Sequence, residues 1–417
     1  MREMKDSGAA FLGRVPKAWS VEKIKHHLER YEIRNPGDKD ILSVYREYGV
    51  IPKDSRDDNH NVTSEDTSKY KYVKPGYFVI NKMKAWQGSM GISEYEGVVS
   101  PAYFIYRFKD DLYFKKFFHY LLRGCYKDEF RRLSSGIREG QWDLPALSFE
   151  NTLVLLPTNE EQDRIVCFLD HQCAEIDALS ADIQSEIDTL EAYKRSIITE
   201  TVTKGLDKNV KMKDSGIPWI GKVPNNWGIE KVKYHLMRKE PRNPGNQQVL
   251  SVYREYGVIP KDSRDDNHNV TSEDTSKYKY VKPGNLVINK MKAWQGSMGI
   301  SDYEGIVSPA YFIYYFTDNT LIPKYIHYLF RSCYKDEFRR ISGGIREGQW
   351  DLSPEAFADT LILLPPVNVQ KGIVKYIEEK LIEMDQVIAQ KQEQLSVLAD
   401  YKKSLIYEYV TGKKEVV

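Results

Sequence analysis

The sequence predicts mixed α/β (α+β) heads, two of them, related by a pseudo-two-fold and joined by two long antiparallel coiled-coil helices. Three observations predict this. The chain is one unit written twice at an offset of 208 residues. Each copy opens with short apolar runs separated by Pro, Gly, Asn and Asp, the pattern of strands and turns. Each copy closes with an apolar seam at alternating spacings of four and three, the pattern of a coiled coil. At 417 residues the chain also exceeds one ordinary domain.

The repeat comes first because a missed period misreads the whole fold. Residues 41–106 and 249–314 differ at five of 66 positions: Ile41/Val249, Tyr77/Asn285, Phe78/Leu286, Glu94/Asp302 and Val98/Ile306. A second matched block pairs Cys125–Arg132 and Gly136–Trp142 with Cys333–Arg340 and Gly344–Trp350. The unit is too large for a solenoid repeat and reads as a duplicated domain. The expected division is a first head over 1–158, a central long helix over 159–206, a second head over 207–366 and a distal long helix over 367–417.

Residues 1–40 read as an irregular lead-in, with Gly13, Pro16, Pro36 and Gly37. Pro52, Asp54, Asp57, Asp58 and Asn59 mark a polar loop, and Lys74-Pro75-Gly76 a turn. Tyr77–Ile80 and Tyr103–Tyr106 read as strands. Phe114, Phe117, Phe118, Leu121, Leu122 and Cys125 share one face of a helix, which places the Cys125 thiol on the core side and makes it an inert thiol. Leu153–Leu156 closes the unit as an apolar strand. The first seam is Leu169, Cys173, Ile176, Ser180, Ile183, Ile187, Leu190, Lys194 and Ile197. The second is Ile377, Leu381, Met384, Ile388, Lys391, Leu395, Leu398, Lys402 and Leu405. A seam from 169 to 197 spans about 43 Å at 1.5 Å per residue. Two matched seams in one chain are expected to pair with each other and act as a ruler between the heads.

Composition excludes several classes. Lys plus Arg number 61 against 60 for Asp plus Glu, so a basic surface must be local. Residues 107–142 carry nine bases and five acids, whereas 160–204 carry four bases and eleven acids. No apolar run approaches the roughly 18 residues of a membrane span, and Met1–Leu12 has no signal-peptide core. Four cysteines make no disulfide framework, which points to the cytoplasm. There is no P-loop and no dinucleotide fingerprint. Asn35-Pro36-Gly37 and Asn243-Pro244-Gly245 lack the rest of an amino-methyltransferase tetrad. Asp57–Asn61 holds one His and reads as a polar loop rather than a metal site. Without a catalytic or metal constellation, a binding protein is the default.

Two segments carry the residue types that nucleic acid selects. Asn81–Ser89 offers Lys82 and Lys84 for phosphate, Trp86 for stacking or wedging, and the Gln87 amide for a base edge. Arg138–Trp142 offers the same chemistry through Arg138 and Gln141. With Arg46 and Arg56 these are the candidate DNA-binding residues of the first copy. Their counterparts are Arg254, Arg264, Lys290, Lys292, Trp294, Gln295, Arg346 and Gln349.

The layout resembles the specificity (S) subunit of Type I restriction-modification systems. The resemblance covers essentially the whole chain. It rests on Lys213–Gly221 with Pro224 and Trp227, repeated more loosely from Lys5 to Trp19, on Gly140-Gln141 ahead of Leu155-Leu156-Pro157, and on Tyr193–Ser196 with Tyr401–Ser404. It implies that each head is a target recognition domain reading half of a split double-stranded DNA site. It implies helices that fix the spacer and dock two modification subunits, with two restriction subunits joining them. S-adenosylmethionine, ATP and Mg would belong to those partners, with no cofactor or catalytic residue in this chain. Members of this family typically carry dissimilar heads. Two near-identical heads predict a palindromic split site, unless positions 77, 78, 285 and 286 touch bases. The competing reading is a tandem-headed protein scaffold that touches no DNA.

Overall fold

The computed structural model describes residues 2–37, 39–46, 48–55, 66–109, 115–136, 142–245, 247–254, 256–263, 274–344 and 350–416. The chain forms two compact units, Met1–Ile183 with Glu393–Val417, and Gln184–Gln392. The second unit is continuous in sequence. The first is the same unit circularly permuted, closed by the C-terminal end of the chain.

In the first unit a four-stranded antiparallel sheet runs in the order Leu28–Arg30, Tyr103–Phe108, Phe78–Asn81, Met90–Ile92. Its pleat explains its composition. Side chains alternate across a strand, so Phe78, Ile80, Phe104 and Tyr106 face one core with Phe117, Phe118, Leu121 and Leu122 of the helix Lys115–Cys125. Val79 and Ile105 face a second, smaller core with Leu42, Val44, Val50, Val73 and Val99. A sheet buried on both faces needs apolar residues at consecutive positions, which is why Phe78-Val79-Ile80 does not alternate. The second unit repeats this with Leu236–Arg238, Tyr311–Phe316, Leu286–Asn289 and Met298–Ile300.

The smaller core is roofed by a hairpin, Leu42–Tyr45 against Gly49–Pro52, and by Lys71–Val73 paired with Gly97–Val99. The hairpin lies against the edge strand so closely that a Cβ on Gly91 would stand 3.1 Å from the Gly49 Cα. Gly49 itself has φ +73°, the left-handed conformation that ends the hairpin loop.

Residues 1–40 are more ordered than the sequence suggests. Met4–Asp6 pairs with Arg14–Pro16, and Ser20–Lys23 pairs with the closing strand Leu153–Leu156. Strands of three or four residues are too short to show periodicity, and Gly13 and Pro16 are the stronger local signals there. Val15 and Trp19 anchor this region in the main core.

The long helices are Asn159–Lys204 and Val367–Val410. The expected seam is buried at Leu169, Cys173, Ile176, Ile183, Ile187 and Ile197, and at Ile377, Met384, Ile388 and Leu405. In each unit the two segments run antiparallel. In the first, Lys402 pairs with Asp177 at 2.6 Å and Phe168 packs on Tyr409. In the second, Lys194 pairs with Asp385 at 2.5 Å, and Lys391 pairs with Glu186. The lysines that interrupt the apolar seam thus lay their stems along it and reach carboxylates on the facing helix. Each head seats on an end of both long helices: Ile165, Val166 and Leu169 enter the first main core, and Ile373, Val374 and Ile377 enter the second. Leu405 and Val410 enter the first main core, and Val202 enters the second. No described helix is long and apolar enough to cross a membrane.

Candidate nucleic-acid interface

The candidate residues converge where the sheet edge turns. After Phe78–Asn81 the chain makes a single 3-10 turn, Ala85–Gln87, and returns as Met90–Ile92. The local sequence dictates this turn. The Asn81 carboxamide oxygen accepts from Met83 N–H at 3.1 Å, and the Lys84 carbonyl accepts from Gln87 and Ser89 N–H. Gly88 closes the turn at φ +86°. Ala85 is fully buried and pins the turn to the core. Lys84 is left exposed, with Trp86 and Gln87 half-buried beside it. Ala293, Lys292, Trp294 and Gln295 repeat the arrangement, with Gly296 at φ +85°. Among the described residues, no carboxylate pairs with Lys84 or Lys292.

Lys82 and Lys290 are not free. Lys82 holds Asp143 at 2.8 Å and Lys290 holds Asp351 at 2.7 Å. Each pair ties the turn to the residue that follows Trp142 or Trp350. Trp86 does not stand alone as a wedge either. Its ring packs on Trp142 at 5.2 Å, and Trp294 packs on Trp350 at 5.4 Å. A guanidinium covers each pair. Arg131 lies 4.9 Å from the Trp142 ring and 5.9 Å from Trp86; Arg339 lies 5.0 Å and 5.9 Å from Trp350 and Trp294. Both arginines are exposed and come from the short helices Lys127–Leu133 and Lys335–Arg340.

The hairpin loop delivers Arg46 and Arg254, both exposed. In the second head Arg254 Nη2 donates to the Gln295 Oε1 at 2.8 Å, so an arginine fork and an amide stand side by side. The loop is held from beneath. Arg123 donates to the Arg46 carbonyl and lies 3.0 Å from His119 Nε2. Arg331 does the same to the Arg254 carbonyl and lies 2.9 Å from His327. Burial, and next the adjacent guanidinium, push His119 and His327 down to about 3. Both imidazoles are therefore neutral at ordinary pH.

Of the sixteen candidates, ten are described: Arg46, Lys82, Lys84, Trp86, Gln87, Arg254, Lys290, Lys292, Trp294 and Gln295. Arg56, Arg138, Gln141, Arg264, Arg346 and Gln349 lie outside the described residues. Sequence reasoning missed Arg131 and Arg339, and the supporting Arg123 and Arg331. A signal was present. Arg131 and Arg339 sit in the matched blocks Cys125–Arg132 and Cys333–Arg340, identical in both copies.

The arrangement has the chemistry of a binding surface. Cations, amides and indoles are grouped with backbone scaffolding beneath them. Among the described residues, no group of three or more His, Cys, Asp or Glu could hold a metal ion. Burial pushes the Cys125 thiol up to about 12, which disfavours the nucleophilic thiolate.

No protein-family model and no curated protein matches this sequence. Solved structures do match its fold. One is a chain from the structural basis of complex assembly and conformational transition of the type I R-M system, with TM-score 0.68 at 13% identity, covering 95% of this chain and 98% of that one. Another is the HsdS subunit from Thermoanaerobacter tengcongensis, with TM-score 0.52 at 14% identity, covering 96% and 98%. The chain therefore shares the fold of an HsdS subunit over nearly its whole length.

Proposed function

We propose that this chain is the DNA-specificity subunit of a Type I restriction-modification complex. One observation carries the reading. On a fold shared with HsdS, the same surface group of exposed cation with half-buried indole and amide is built twice, once per head. Lys84 and Lys292 contact phosphate, which gives affinity without sequence information. Gln87 with Arg46, and Gln295 with Arg254, read base edges in the groove. The chain is not itself an enzyme. Two modification subunits supply S-adenosylmethionine-dependent adenine methylation, and two restriction subunits supply ATP- and Mg-dependent cleavage, in the cytoplasm. The long helices set the unread spacer and dock the modification subunits.

The site read is a palindromic split sequence. Two copies of one reader on one chain are expected to take inverted copies of one half-site, as paired DNA readers do on palindromic operators. Supporting this, the differing positions are structural. Phe78 and Leu286 are fully buried. Tyr77 packs edge-on against Tyr31 at 4.8 Å, and the buried Asn285 accepts from Lys282 N–H at 2.9 Å to form a turn.

Single-molecule sequencing of cellular DNA, with and without this gene, tests the reading. A methyladenine motif in two separated parts should vanish on deletion. An unchanged methylation pattern, together with no duplex binding by the assembled complex at low salt, would return the chain to the scaffold reading.

A further inference from the structure

We infer that Arg131 and Arg339 each read a guanine, so that each half-site carries a G·C pair beneath this side chain. The inference rests on the DNA-specificity reading and deepens it by naming a base.

Two neighbouring arginines in each head have opposite environments. Arg132 is clamped by Glu129 through two bonds of 2.8 and 2.6 Å, and Arg340 by Glu337 through two of 2.7 Å. Their forks are occupied. Arg131 and Arg339 lie against ring faces, 4.9–5.9 Å away, and among the described residues no carboxylate pairs with either. A guanidinium stacked on indoles keeps its in-plane N–H groups available while its orientation is restricted.

A phosphate contact tolerates a swinging cation, as at exposed Lys84. Base readout needs a donor fork held in a set plane, because the guanine O6 and N7 acceptors are fixed relative to each other. The ring faces of the indole pair restrict where each guanidinium sits, 4.9–5.9 Å from the centroids, and the Lys82–Asp143 and Lys290–Asp351 bonds anchor the chain beside Trp142 and Trp350. The reading face is continuous with the turn that carries Gln87 and Gln295. It is also the same in both heads, so the base is the same in both halves.

The test uses the assembled complex and the motif found by methyladenine sequencing. Duplexes carry 7-deazaguanine in place of guanine, one position at a time, which removes N7 and leaves base pairing intact. One guanine per half-site is expected to lose binding roughly tenfold. The double variant R131K/R339K keeps the cation but not the fork. It is expected to lose discrimination at that guanine by about 10- to 100-fold, with non-specific duplex binding within about twofold of the parent. R132K/R340K should keep the motif. A motif without guanine, no 7-deazaguanine effect at any position, or an R131K/R339K complex that keeps its motif while binding every sequence more weakly would overturn the inference; the last would make these arginines phosphate contacts. If no motif depends on the gene, the specificity reading itself fails, and this inference falls with it.

Discussion

The main cores of the two heads differ in their side chains, whereas the buried apolar residues of the smaller cores and the turn that carries Lys84 and Lys292 are the same in both. The helix Lys115–Cys125 and its counterpart Pro323–Cys333 show this within a single element. Phe117, Phe118 and Leu122 become Tyr325, Ile326 and Phe330, all fully buried. The ring at 118 is lost and a ring at 330 gained one turn later, which conserves volume. The hydroxyl added at Tyr325 donates to the Val202 carbonyl at 3.1 Å, so it is not left unpaired. His119 and Arg123, which face the hairpin rather than the core, are unchanged as His327 and Arg331. Cores accept volume-conserving exchanges at small cost. Exposed positions accept most substitutions within about 0.5 kcal/mol. Packing therefore explains the exchanges in the main core, and stability alone places little constraint on the exposed Lys84 and Lys292, which are the same in both copies.

The comparison breaks most sharply if one head is emptied. Phe118→Ala should cost the first head about 3–5 kcal/mol and leave the second folded. Two separated unfolding transitions in calorimetry are the expected result, and one shared transition would show that the heads do not fold independently. The next effect is common to both heads. His119 and His327 stay neutral in the folded state down to about 3, whereas the unfolded chain protonates them below about 6.5. The unfolded state then binds more protons. Stability is whole above about 6.5 and falls as pH drops, by about 1.4 kcal/mol per pH unit for each histidine. Denaturant midpoints between pH 7 and 4 should be flatter in H119Q/H327Q than in the parent.

The repeat and the seams were legible in the sequence because each is a long-range regularity carried by many residues. Leu169, Ile176, Ile377 and Ile388 needed only their spacing. The lead-in was not legible, because Met4–Asp6 and Arg14–Pro16 are too short for a period. The site was half legible. Lys84, Trp86 and Gln87 lie together in sequence and on one turn. Arg131 and Trp142 join them from distant segments, and nothing local in the sequence places them against Trp86. Sequence chemistry also could not show that Lys82 is tied to Asp143.

A smaller effect separates affinity from specificity on the shared face. Gln87→Ala with Gln295→Ala should relax the motif by about 1–3 kcal/mol at one base pair per half-site. Lys84→Ala with Lys292→Ala should weaken all sequences alike and lower the salt slope by about one per lysine. Binding titrations at several salt concentrations distinguish the two variants. The smallest effect exposes a difference between the cores. Tyr106 donates to Glu150 at 3.2 Å, but Ala358 replaces that acid in the second head. The buried Tyr314 hydroxyl has no partner among the described residues. Tyr106→Phe should destabilise its head by about 0.5–1.5 kcal/mol, while Tyr314→Phe should be neutral or slightly stabilising. Thermal unfolding of the two single variants checks this.

The central claim is that one reading face is present twice. The symmetry of the methylated motif tests it most directly. Single-molecule sequencing that returns two halves as inverted copies of each other, lost together when the gene is removed, is the predicted result. Two halves of unrelated sequence, both dependent on this gene, would contradict it and would mean that the identical exposed residues are not what the heads read with.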